Sequence, residues 1–304
     1  MSRLLRIGTR DSALALWQAN RLKNELLALG MASELVPIKS QGDHDQNQPL
    51  YAMGITGIFT KTLDIALLDN RIDIAIHSMK DVPTQLPKGI VQAAVLPRGK
   101  TGDVVVWKTA TAQNKSHRTI ATGSLRRKAQ WLHHYPNDTI VPLRGNIHTR
   151  LQKLNDNDWD GAIFAEAALE RLDVSSIHVQ KVTEMIPAPA QGALLVVCRL
   201  SDEDIAQQLT LLNDREAELC TQIERDFLHA LEGGCTAPIG ALANCHDQTI
   251  SFSGGLYSLQ GNSPQLIEAS FSMNEAPQQG RKLAKDLLAN GGAIVMNEFK
   301  RSHE

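Results

Sequence analysis

Twice along this chain, short apolar runs alternate with amphipathic helical stretches, and that alternation restricts the fold more than any other feature. Leu4 to Gly8 reads as a buried strand, and Ser12 is placed as the N-cap of a helix whose Leu14, Trp17, Leu22 and Leu26 fall on one face. A second strand is predicted over Glu34 to Lys39. A β-α-β unit of this kind implies a parallel sheet. Past residue 118 the pattern returns: strands over Thr119 to Thr122, Thr139 to Leu143 and Gly161 to Ala165, each leading into a helix. Both stretches predict doubly wound α/β units. No sequence repeat relates them.

The ionisable residues gather where predicted strands end. Ile72, Ile74 and Ile76 alternate with Asp73, Ala75 and His77, and Pro83 stops the run, so His77, Lys80 and Asp81 are expected at the carboxyl end of a strand. In open α/β sheets that edge binds ligands. Arg10 and Ser12 follow the first strand, and Arg10 reads both as a surface charge and as a carboxylate partner beside a helix start. Arg126, Arg127 and Arg144 fall at strand-to-helix turns of the second unit, with Arg150 about a turn further on. Each alone reads as a solvated charge. Together they suggest a cleft for a ligand with several carboxylates or phosphates, because the planar guanidinium pairs bidentately with such groups.

Composition narrows the choice of ligand. The chain of 304 residues carries a net charge of −2 and only 4% aromatic residues, which argues against nucleic acid and gives no overall attraction to anionic membranes. Neither a phosphate-binding G-x-x-x-x-G-K-[ST] loop nor a G-x-G-x-x-G fingerprint occurs, so a nucleotide is not expected. The opening residues lack the pattern of a signal peptide, and no apolar run is long enough for a membrane helix. Cys198, Cys220, Cys235 and Cys245 show neither C-x-x-C pairing nor zinc-ligand spacing, so no metal is expected and a cytoplasmic setting with free thiols fits.

Within the first unit, Gly42 to Gly57 is polar, glycine-containing and aperiodic, and reads as a mobile loop or lid ahead of a helix over Phe59 to Leu68. Strands are expected at Ile90 to Leu96 and Val104 to Trp107, with Pro97, Arg98 and Gly99 marking a crossover to another domain. After Pro187 and Pro189, Gly192 to Leu200 is apolar enough to rejoin the first sheet as a buried strand. Helices are predicted over Asp202 to Leu212 and Glu216 to Leu231, the second ending at Gly233-Gly234. Strands near Ile239 to Ala243, Thr249 to Leu256 and Leu266 to Met273, a helix over Gln279 to Leu288 and a final strand make a small α+β domain. The expected domains are residues 1–97 with 192–214, residues 98–191, and residues 215–304. Cys235 reads either as a small buried hydrophobe or, after two glycines, as a thiol brought into the cleft.

Several stretches resemble the porphobilinogen deaminase (hydroxymethylbilane synthase) family. Leu231-Glu232-Gly233-Gly234-Cys235-Thr236-Ala237-Pro238-Ile239-Gly240 is similar to its cofactor-attachment segment, and His77-Ser78-Met79-Lys80-Asp81-Val82-Pro83 to its catalytic segment. Ile7 to Ala19, Gly123-Ser124-Leu125-Arg126-Arg127, Leu143 to Arg150 and Pro189-Ala190-Gln191-Gly192-Ala193 continue the likeness in the family's order.

The resemblance implies a monomer whose first two domains are like two-lobed (type II) periplasmic solute-binding proteins. It implies head-to-tail condensation of four porphobilinogen molecules into hydroxymethylbilane with loss of ammonia, on a dipyrromethane cofactor joined through a thioether to Cys235. Asp81 is the implied catalytic carboxylate. Lys80, Asp81, Ser124, Arg126 and Arg127 are implied cofactor ligands, and Arg10, Ser12, Phe59, Arg144, Arg150 and Gln191 implied substrate ligands. The chain departs from the family pattern at Ala52, Thr56, Gly123 and Val197, where lysine, lysine, serine and glutamate are frequent. A two-lobed anion-binding sensor is the alternative; the presence of both Asp81 and Cys235 argues against it.

Overall fold

The computed structural model describes residues 3–38, 60–174, 178–232 and 237–302. The chain divides into two compact units. One comprises Met1–Gln46, Ile55–Gly99 and Gly192–Glu218; the other comprises Asn47–Gly54, Lys100–Gln191 and Leu219–Glu304.

In the first unit, β1 (Leu5–Thr9), α1 (Ala13–Ala28) and β2 (Ser33–Pro37) form the expected parallel β-α-β turn. After α2 (Lys61–Leu68), β3 (Ile74–Ser78) pairs parallel with β1, followed by β4 (Ile90–Leu96). The sheet order is β2-β1-β3-β10-β4, and β10 (Leu194–Arg199) runs antiparallel to both its neighbours. The sheet is therefore mixed rather than wholly parallel. Ile74 to His77 are all buried, so β3 is covered on both faces, with Ile74 and Ile76 sharing one face in a single core cluster. Ile7, Ile74, Val196 and Leu96 pack with Leu22 and Leu26 of α1 in the core.

Asp73, at the start of β3, is fully buried and receives the guanidiniums of Arg6 and Arg199, both within 3.0 Å, and of Arg3 at 2.5 Å. Burial opposes its charge, but these arginines hold its carboxyl down at about 2.

The second unit repeats this plan without a sequence repeat. β5 (Asp103–Trp107), β6 (Thr119–Ala121), α3 (Leu125–His134), β7 (Thr139–Val141), α4 (Ile147–Asp156), β8 (Gly161–Ala165), α5 (Glu166–Arg171) and β9 (His178–Val182) build a sheet of order β7-β6-β8-β5-β9. Here too three strands are parallel, and the fourth, β5, is antiparallel to its neighbours. In each unit the antiparallel fourth strand follows a point where the chain passes from one unit to the other, at Gly99–Lys100 before β5 and at Gln191–Gly192 before β10.

The rest follows α6 (Glu203–Leu209) and α7 (Arg215–Ala230). β11 (Ile239–His246), β12 (Thr249–Leu256) and β13 (Gln265–Ser272) form an antiparallel meander, with α8 (Gln279–Leu287) and α9 (Ala293–Arg301) closing the chain. The last element is a helix, not the strand expected. Ala293 to Met296 suggests a strand in isolation, yet Val295 and Met296 are buried with Leu283 and Leu287 of α8, and Phe299 packs against the same core at helical spacing. A kink at Gly291, whose φ of 110° favours glycine, separates the two helices. β9 was not foreseen either, because its first four residues are exposed and carry no apolar alternation.

Candidate active site

In the first unit the predicted residues meet at the carboxyl edge of β1 and β3. Gly8 lies opposite Ala75, so two residues further on Arg10 comes level with His77. His77 is buried, and burial together with the nearby Arg10 charge pushes its imidazole down to about 4, leaving it neutral at physiological pH. Its Nε2 has no hydrogen-bond partner. Ser12 caps α1 as expected, its hydroxyl accepting from Ala15 N at 3.3 Å.

Beyond β3 the chain turns at once into a short 3-10 segment, Met79–Asp81, which presents Lys80 and Asp81 half-buried. Two hydrogen bonds among the described residues help to fix that turn. The amide of buried Gln18 on α1 donates to the Ser78 hydroxyl at 2.8 Å, and Met79 N donates to Ala193 O at 3.0 Å.

The second unit gathers the other arginines at the carboxyl edge of β6 and β7. Ser124 caps α3, accepting from Arg127 N at 3.4 Å, and Asn146 caps α4, accepting from Thr149 N at 2.9 Å. Arg126 and Arg127 occupy the first turn of α3 yet are buried, not solvated. Both guanidiniums converge on Asp103 at the start of β5. Arg126 Nη2 lies 2.7 Å from Oδ2, while Arg127 Nε and Nη2 donate to Oδ1 at 3.1 and 2.8 Å. Gln191 Nε2 also donates to Oδ1, at 3.0 Å, and to Thr101 O at 2.7 Å. Burial works against the Asp103 charge, but the two guanidiniums hold its carboxyl far below the usual range.

Sequence reasoning identified Arg126, Arg127 and Gln191 but missed the residue that joins them. Asp103 stands alone before an apolar strand, and only the antiparallel entry of β5 brings it under α3. The remaining contacts orient the pair: Arg126 Nη1 donates to Ile186 O at 2.8 Å and Arg127 Nη1 to Ile163 O at 3.0 Å. Arg144 and Arg150 flank the start of α4, where Arg150 Nε donates to Gly145 O at 2.7 Å.

The first turns of α1, α3 and α4 contain no acidic residue, whereas those of α2, α5, α6 and α7 each contain at least one. α8 and α9 also start without an acid, but α1, α3 and α4 are the acid-free starts that stand at the β1, β6 and β7 edges. There the positive end of the helix dipole and the arginines act in the same direction, an arrangement suited to ligand carboxylates. Arg126 Nε is buried without a partner, a donor left over once Asp103 and Ile186 are satisfied. This donor set fits a group bearing several carboxylates, as a dipyrromethane does.

Phe59, Cys235 and the expected lid with Ala52 and Thr56 lie outside the described residues. Cys198 is a buried free thiol, Cys220 is buried and Cys245 is partly exposed. No helix among the described residues is long and apolar enough to cross a membrane.

Residues 5–207 match the family described as porphobilinogen deaminase, dipyromethane cofactor binding domain, and residues 218–289 match porphobilinogen deaminase, C-terminal domain. The porphobilinogen deaminase of Syntrophotalea carbinolica is 39% identical over 301 residues, covering 97% of this chain and 96% of that protein. The chloroplastic porphobilinogen deaminase of Oryza sativa is 42% identical over 304 residues, covering 95% and 84%. Among solved structures, an ancestral cationic amino acid solute-binding protein is 14% identical with a TM-score of 0.43 over 69% of this chain and 87% of that one, a likeness too slight to carry an argument.

Proposed function

Because the chain belongs to the porphobilinogen deaminase family, we propose that Asp81 is its catalytic carboxylate and that the acid-free helix starts with their arginines hold the carboxylates of the dipyrromethane and of porphobilinogen. The observation that carries this reading is the convergence of Arg126, Arg127 and Gln191 on one buried acid at a helix start, with a guanidinium donor to spare.

The bound dipyrromethane supplies a nucleophilic pyrrole α-carbon to which the product chain is joined. The protein's residues do the rest. At each addition the C–N bond of the aminomethyl group breaks, ammonia leaves with a proton, and positive charge develops on the porphobilinogen pyrrole. Asp81, fixed by the Gln18–Ser78 and Met79–Ala193 hydrogen bonds, stabilises that charge at low cost in reorganisation because its turn is already in place. A new C–C bond then forms, and the α-proton is lost to a base. Arg126, Arg127 and Ser124, with Lys80, are assigned to cofactor carboxylates. Arg10, Ser12, Arg144 and Arg150, with Phe59 and Gln191, are assigned to substrate. For Gln191 the assignment is indirect, since its amide is committed to Asp103 and Thr101.

We assign three domains: 1–97 with 192–214, 98–191, and 215–304. A sequence with four cysteines and no C-x-x-C pairing fits a reducing cytoplasm, and a monomer is the proposed state. The test is incubation of the purified protein with porphobilinogen. One ammonia released per porphobilinogen consumed, with hydroxymethylbilane as product, supports the reading, provided that Asp81→Asn abolishes both while the protein stays folded. Binding without ammonia release would favour the sensor.

A further inference from the structure

The buried cluster of the second unit does not balance its own charge. Two guanidiniums, Arg126 and Arg127, share one carboxylate, Asp103, so the three groups together carry two positive charges and one negative. All three are nearly inaccessible, Asp103 at 1%, Arg126 at 4% and Arg127 at 6% exposure. An unbalanced charge in so dry a place is costly unless a counter-ion completes it. The start of α3 adds to the positive potential and supplies no acid of its own.

Without Asp103 the imbalance would double, and the two neighbouring guanidiniums would repel each other. With it, Arg127 is held through Nε and Nη2 on one oxygen and Arg126 through Nη2 on the other, while the Gln191 amide donates to the oxygen that Arg127 uses. Arg126 Nε is left as the buried donor without a partner.

We propose that Asp103 is a positioning residue for the reaction: it sets Arg126 and Arg127 side by side and cancels one of their charges, so that this sheet edge accepts one ligand carboxylate. The inference rests on the functional reading above and adds to it a residue that touches no ligand.

Asp103→Asn keeps the shape and removes the charge; Asp103→Glu keeps the charge and moves it outward by one methylene. The readouts are circular dichroism for the fold, intact mass for the fraction of chains carrying two linked pyrroles, and the separate kcat and KM for porphobilinogen. Asp103→Asn is expected to fold but to carry the adduct in fewer than about a tenth of chains, as loss of a charge-assisted contact implies. Asp103→Glu is expected to keep the adduct, with KM raised about tenfold and kcat nearly unchanged, because the guanidiniums are displaced rather than released.

A folded Asp103→Asn protein with wild-type adduct content and KM would overturn the proposal. So would an Asp103→Glu protein as empty as Asp103→Asn, or one with wild-type KM. If Asp103→Asn does not fold, the KM of Asp103→Glu decides. A wild-type protein that neither carries the adduct nor releases ammonia would instead sink the functional reading itself.

Discussion

A β-carbon on Gly123 would stand 2.4 Å from the carbonyl oxygen of Leu143. The obstacle is backbone, so it cannot turn aside as a side chain would. Gly123 precedes the α3 cap and Leu143 precedes Arg144, so the missing side chain brings two arginine-bearing turns of one sheet edge close together. Gly123→Ser is therefore expected to destabilise the protein by roughly 1–3 kcal/mol and to raise KM for porphobilinogen through displacement of Arg144. Thermal melts and steady-state kinetics check this; an unchanged melting temperature and KM would show that the turn yields freely.

Gln18 lies far from Asp81 in sequence, yet its amide holds the hydroxyl of Ser78, three residues ahead of that carboxylate. Gln18→Leu should lose about 1 kcal/mol of stability and lower kcat more than it raises KM, because the turn carrying Asp81 loses an anchor. An effect on KM alone would place the turn's role in substrate binding.

Two buried groups of the first unit give opposite pH responses. His77 is held at about 4 when folded against an ordinary 6.5, so as pH falls the unfolded chain takes up the proton first. Its contribution to stability is full above 6.5 and is lost between 6.5 and about 4, by up to roughly 3 kcal/mol. Burial raises the Asp64 carboxyl to about 6 from 3.8, against the lowering effect of Thr60. Here the folded state binds the proton more tightly, so stability is greatest below 3.8 and declines as pH rises to about 6. The two slopes oppose each other in wild-type protein. Asp64→Asn should stabilise the protein at neutral pH and steepen its acid-side loss, and His77→Gln should flatten that loss. Denaturant titrations between about pH 4.5 and pH 8 measure both; parallel curves for all three proteins would refute the assignment.

Much of this arrangement was legible in the sequence because local chemistry specified it. Ser12 caps α1 as its position before an amphipathic run predicts, and Gly192 to Leu200 does return to the first sheet. Arg126 and Arg127 were legible as a pair at a strand-to-helix turn. Asp103 was not, because its meaning depends on an antiparallel strand pairing with β8, a long-range relation that no local pattern records. The common plan of the two sheets was hidden for the same reason, since their fourth strands reach equivalent places from opposite directions along the chain. At the carboxyl terminus the expected final strand is a helix, because packing of Val295 and Met296 against α8 selects it.

Asp81→Glu offers a further check on the catalytic assignment. The charge is retained but displaced from the turn fixed by Ser78 and Met79, so turnover should persist at a reduced rate, whereas Asp81→Asn should lose nearly all condensation and keep the covalent adduct. Equal activity in the two variants would mean that geometry rather than charge matters at this position.

The central claim, that this chain builds its product on a dipyrromethane joined to Cys235, is tested most directly by proteolysis of the native holo protein and mass mapping of its four cysteine peptides. The account predicts two linked pyrroles on the peptide containing Cys235 and none on those containing Cys198, Cys220 or Cys245. An adduct on another cysteine, or an active enzyme whose Cys235 is unmodified, would contradict it.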